Sequence, residues 1–116
     1  MKYMFLIYTE ESSELQMTPA EREAMYGEYF AFTNSARAQG VYVDGDELKP
    51  TTTATTLRLQ NGQLLPTDGP FAETKEQLGG FYILECQDMD DAVTWAAKLP
   101  SARYGSIEVR PIVNFG

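Results

Sequence analysis

Asp68, Lys75 and Arg110 are the side chains of this sequence best suited to chemistry, because the commonest proton shuttle is missing: none of the 116 residues is a histidine. That absence removes Ser-His-Asp triads, Cys-His dyads and histidine-based zinc sites. Proton transfer would fall to carboxylates, lysine, tyrosine or the single cysteine, Cys86. Asp68 stands in Thr67-Asp68-Gly69-Pro70-Phe71 and has two candidate roles. It is a turn residue whose carboxylate accepts local backbone hydrogen bonds, or a carboxylate at the rim of a cleft, able to move a proton once burial raises its pKa.

Lys75, between Glu73 and Glu76, belongs to a solvated loop of weak ion pairs or points into the cleft to hold a ligand carboxylate or act as a base. Arg110 lies two residues from Glu108, close enough for an ion pair on one strand face. Its alternative role is a planar fork for an anionic ligand, with Arg58 or Tyr104 nearby and Tyr8 closing the pocket. The acidic groups Asp44-Asp46-Glu47 and Asp88-Asp90-Asp91 match no calcium loop, so neither a metal nor another cofactor is expected. Cys86, in the apolar run Phe81 to Cys86, has no neighbour in sequence that would lower its pKa, and reads as an inert buried thiol.

The elements that must position these residues follow from periodicity and turn chemistry. Lys2 to Tyr8 reads as a strand with both faces apolar: Tyr3, Phe5 and Ile7 on one, Met4, Leu6 and Tyr8 on the other. Thr18-Pro19-Ala20-Glu21 is a capping box with proline at the first helical position. The helix it opens should run to Gly40 and bury Met25, Tyr29, Phe32 and Ala36, widened by Tyr26 and Phe30. Gly27 inside it costs about 1 kcal/mol relative to alanine, which a close backbone contact would explain.

A second strand starts at Val41 and is interrupted by Asp44-Gly45-Asp46. Asn61-Gly62 marks a hairpin between Thr53 and Pro66, since that pair suits a type I′ turn, and Pro66 puts its strand at an edge. Gly79-Gly80 should start a bulge or allow a close backbone approach. Gly80 to Cys86 is a further strand with both faces apolar. Asp88 caps a second helix burying Met89, Val93, Ala96 and Ala97. Pro100 stops it, and Ser106 to Val113 is the last strand.

This order is an α+β, ferredoxin-like split βαβ with an inserted β-hairpin. Both helices would cover one sheet face and leave the other bare, an apolar patch that predicts a sheet-to-sheet C2 homodimer. Residues 1–116 make one domain. Nine Lys and Arg against seventeen Asp and Glu give a charge of −8, which opposes nucleic acid and anionic membranes as partners. The 43% hydrophobic and 22% charged shares are those of an ordinary globular chain. A lone cysteine suits a reducing cytoplasm, and no window approaches the ~18 apolar residues of a membrane span.

The stretch TDGPFAETKEQLGGFYIL, with MKYMFLIY at the start and LPSARYGSIEVRPI at the end, resembles the YCII-related family, and within it the subgroup named for the Asp-Gly-Pro-Phe motif. The resemblance implies a dimeric α+β barrel, bacterial origin and an association with extracytoplasmic-function sigma factors. A His-Asp pair proposed as catalytic in other members has no counterpart here, because this chain lacks histidine. Two functions follow as expectations: a small-molecule-binding or accessory module, or a cofactor-free enzyme acting by proton transfer on a small anionic or carbonyl compound, with Asp68 as acid-base group and Arg110 or Lys75 as anchor.

Overall fold

The computed structural model describes residues 1–116. A four-stranded antiparallel sheet is built from β1 (Lys2–Thr9), β2 (Tyr42–Glu47), β5 (Gln77–Glu85) and β6 (Ser106–Pro111), in the spatial order β2-β5-β1-β6. Each edge strand is reached from a central one through a helix, β2 from β1 by way of α2 (Pro19–Ala38) and β6 from β5 by way of α3 (Met89–Ala96), the ferredoxin-like arrangement. One further helical turn, α1 (Glu11–Glu14), follows β1. The hairpin β3 (Thr55–Gln60) and β4 (Gln63–Asp68) forms a separate two-stranded sheet.

Local sequence chemistry sets most of these boundaries. Thr18 Oγ1 accepts from the Glu21 backbone N–H at 3.1 Å while the Glu21 carboxylate accepts from the Thr18 N–H at 2.9 Å, closing the capping box at the start of α2. The Asp88 carboxylate accepts from the Asp91 N–H at 2.8 Å and starts α3. Asn61 and Gly62 both take positive φ, 51° and 75°, as a type I′ turn requires. At Gly79 the pairing of β1 with β5 slips by one residue, so the glycine pair does open a bulge.

Tyr3, Phe5 and Ile7 of β1 face the helices with Leu84 of β5, Phe32 and Ala36 of α2, and Trp95 of α3, and these residues form the core. Phe32 is its hub, edge-on to Tyr82 at 4.9 Å and to Trp95 at 5.8 Å. Phe5 and Leu84 are fully buried, each contributing about 1.5–3 kcal/mol of apolar transfer.

Four expectations are corrected. β2 runs straight through Asp44-Gly45-Asp46, with a register shift between Tyr42 and Asp44; a side chain at residue 45 would come within 2.7 Å of the Tyr82 ring, so Gly45 admits the aromatic instead of turning the chain. In α3 the buried face is Ala92, Trp95 and Ala96, continued by Leu99, while Met89 and Val93 are exposed. The i, i+3, i+4, i+7 spacing of that face is as good as the expected one, and the large Trp95 ring takes the core. Phe30 is exposed, and Gly27 has open space where a side chain would be, with no close contact.

Candidate functional site

α2 does not lie flat on the sheet along its whole length. On the floor facing it, Gly45 of β2 and Gly80 of β5 carry no side chain, and α2 from Arg22 to Arg37 spans a cavity of about 810 Å³ bounded by these strands, by Ile7 and Thr9 of β1 and by Met25, Tyr29 and Thr33 of α2. The volume is within the range of small-molecule pockets, and the lining combines aromatic rings with polar and charged side chains.

The polar groups are fixed by the chain itself. The Thr33 hydroxyl donates to the Tyr29 carbonyl at 3.0 Å and lies 2.9 Å from the Tyr82 hydroxyl. Its one proton being used, it accepts from Tyr82, so a hydroxyl pair ties roof to floor across the cavity wall. At the rim, the Tyr26 hydroxyl donates to the Glu47 carboxylate at 2.9 Å, Arg22 donates to the Glu14 carbonyl at 2.7 Å, and the Arg37 guanidinium lies over the Tyr42 ring at 4.7 Å. Burial raises the phenol pKa of both Tyr29 and Tyr82, so these rings present neutral hydroxyls. Of the six charged residues in the lining, Glu11, Arg22, Arg37 and Glu47 are held in contacts with the chain, and Glu14 and Asp46 add two further carboxylates.

A second, open cleft of about 660 Å³ lies between α1 and the segment leaving β4, and it brings Asp68 and Lys75 together with Glu10, Glu11 and Glu73. The Glu11 carboxylate accepts from the Thr51 N–H at 2.9 Å and the Thr51 hydroxyl at 2.8 Å, and the Glu11 N–H donates to the Gln77 side chain at 3.0 Å; α1, unforeseen in the sequence, is what places Glu11 to join these segments. Hydrogen bonds from Ser13 and Ser12 hold the Glu10 carboxyl below the usual range, helped by the charge of Lys75. Asp68 is exposed. Its carboxylate takes no part in holding the turn: Gly69, at φ 97°, donates to the Ala54 carbonyl at 2.7 Å and accepts from the Thr56 hydroxyl at 2.8 Å. Four carboxylates around one ammonium make the cleft's field negative, so an anionic ligand meets repulsion there. No three carboxylate or thiol groups of the chain converge on a metal position.

The remaining sequence candidates are dispersed. Arg110 lies on the sheet face away from the helices, where it pairs with Glu108 at 3.0 Å. Tyr8 shares that face, four positions along, opposite Ser106. Arg58 is out on the hairpin opposite Leu65. Tyr104 is half exposed at the end of the 3-10 turn before β6, with its phenol pKa raised by burial and then by the charge of Glu14. Only Asp68 and Lys75 meet. None of the six lines the α2 cavity; its apolar α2 residues Met25, Tyr26, Tyr29 and Phe30 fit the apolar face expected of that helix, and no local sequence signal marks the space beneath it. Cys86 is buried, its thiol pushed up to about 11 by burial and by Asp91. No helix is long and apolar enough to cross a membrane.

Comparison with known proteins agrees with this architecture. An uncharacterised protein of Rhizobium meliloti (strain 1021) is 40% identical over 117 residues, covering 99% of this chain and 94% of the relative. The model of the YCII-related domain matches residues 1–116. A match from end to end, on a chain that folds as one ferredoxin-like unit, places this protein in the YCII-related domain family.

Proposed function

We propose that this YCII-related protein, of the Asp-Gly-Pro-Phe subgroup, is a small-molecule-binding module that works as a homodimer packed through the bare sheet face. Its ligand is a neutral, largely apolar organic molecule with one or two hydrogen-bonding groups, such as a carbonyl or a phenol. The observation that carries this reading is the α2 cavity: about 810 Å³, lined by the rings of Tyr26, Tyr29, Phe30, Tyr42 and Tyr82, with the Thr33–Tyr82 hydroxyl pair in its wall and the Glu47 carboxylate already bonded to Tyr26. The bare face supports the dimer, because Met4, Leu6, Phe81 and Ile83 present an apolar strip there that self-association through a two-fold axis would cover.

Proton transfer by Asp68 has less support. The carboxylate is exposed, in an open acidic cleft outside the cavity. The test is native mass spectrometry of freshly purified protein, followed by denaturation to release and identify what it carries. A dimer with one neutral molecule per chain, lost in Thr33→Trp while the dimer persists, is the expected result. An empty wild-type dimer that also binds a hydrophobic dye no better than Thr33→Trp overturns the reading.

A further inference from the structure

The register of the β3–β4 hairpin puts Leu57 opposite Pro66 and Leu59 opposite Leu64, so one face of the two-stranded arm is apolar from its tip down to the Thr55–Asp68 pair at its base. Nothing in the chain covers it: Leu57, Leu59 and Leu64 are 59%, 67% and 62% exposed. No other helix or strand of the fold packs extensively against the arm, and the bonds at its base join Gly69 to Ala54 and Thr56. A two-stranded hairpin alone in water is marginally stable at best, and an exposed apolar one invites pairing or aggregation. An arm built this way calls for a covering surface.

We infer that the β3–β4 arm is a clasp that closes on a second copy of this chain. Surface area identifies the occupant. The chain exposes 8150 Å², whereas a folded monomer of 13.0 kDa exposes about 6300 Å². The surplus of about 1800 Å² is roughly twice the ~800 Å² per partner of a standard interface. A sheet-to-sheet contact alone leaves much of it uncovered. The radius of gyration, 16.2 Å, also exceeds the ~13 Å of a compact chain of this length, as expected of half of an intertwined pair. Charge agrees: the arm, residues 55–68, carries only Arg58 and Asp68 and so no net charge, in a chain of net charge −8. The arm therefore lies against an acidic second copy without net like-charge repulsion. Phe71, 79% exposed just beyond the arm, extends the apolar contact.

This inference rests on the homodimer of the preceding section and adds the element that locks it. The test compares wild type with the triple variant Leu57→Ser, Leu59→Ser, Leu64→Ser by sedimentation equilibrium, with hydrogen exchange of the arm amides. Circular dichroism and Trp95 fluorescence report on the fold, which the variant leaves intact because no other helix or strand packs extensively against the arm. The expected result is a wild-type dimer with protected arm amides and a dissociation constant raised at least tenfold in the variant. An unchanged dissociation constant with freely exchanging arm amides sinks the clasp and leaves the sheet-face dimer standing. A wild-type monomer sinks both. Arm protection that appears only with a different protein bound overturns the second copy as occupant.

Discussion

Breaking the hydroxyl pair between α2 and β5 probes the cavity wall directly. Thr33→Val is close to isosteric and removes the acceptor of the Tyr82 hydroxyl, leaving a half-buried donor unpaired, which costs about 1–3 kcal/mol. Tyr82→Phe removes the donor and leaves the Thr33 hydroxyl still bonded to the Tyr29 carbonyl at 3.0 Å, so it loses only the net worth of one hydrogen bond, about 0.5–1.5 kcal/mol. The order of the two penalties therefore follows from which hydroxyl donates. In the double variant neither orphan remains, and the two losses fall short of their sum by about 1 kcal/mol. Urea denaturation of the four proteins at one protein concentration reads this coupling; each 1 kcal/mol corresponds to about 4 °C in Tm for a chain of this length. Additive losses, with coupling below about 0.3 kcal/mol, refute the pairing, and a larger penalty for Tyr82→Phe than for Thr33→Val refutes the assigned direction.

Three shorter predictions accompany it. Asp68→Asn changes stability by less than about 0.5 kcal/mol, because the carboxylate holds no hydrogen bond; a loss of 1 kcal/mol or more by the same denaturation assay returns Asp68 to the turn. Gly27→Ala stabilises by about 0.5–1 kcal/mol, since the position is exposed, helical and free of neighbours within 4 Å, and a lowered melting temperature refutes this. Finally, burial raises the Cys86 thiol to about 11 and also raises Tyr29, Tyr82 and Tyr104. The unfolded chain releases these protons first, from a thiol near about 8.5 and phenols near about 10. The stability they confer is thus whole below about pH 8.5 and is lost as pH climbs through 9 to 11. The urea midpoint should fall between pH 8 and pH 10.5, and an equal midpoint at both contradicts the linkage.

What the sequence by itself determined is whatever neighbouring residues decide among themselves. A capping box needs only Thr18 and Glu21, a type I′ turn only Asn61 and Gly62, and the two apolar faces of β1 only strict alternation; all are interactions within about four residues, and they set the element order and with it the ferredoxin-like topology. Where two local patterns were equally good, only packing chose: α3 buries Ala92, Trp95 and Ala96 because the Trp95 ring meets Phe32, a contact 63 positions away that no window contains. Gly45 was misread for the same reason, its purpose being room for Tyr82 of the adjoining strand. The candidate chemistry divided along this line as well. Asp68 and Lys75 share one cleft because they stand seven positions apart along one segment, whereas Arg110, Tyr8, Arg58 and Tyr104, alike only in type, end on different surfaces. The α2 cavity is a property of two strands and a helix at once. It exists only once α2 is set over β2 and β5, and strand register, a sum of many weak long-range pairings, is decided only when the whole sheet assembles.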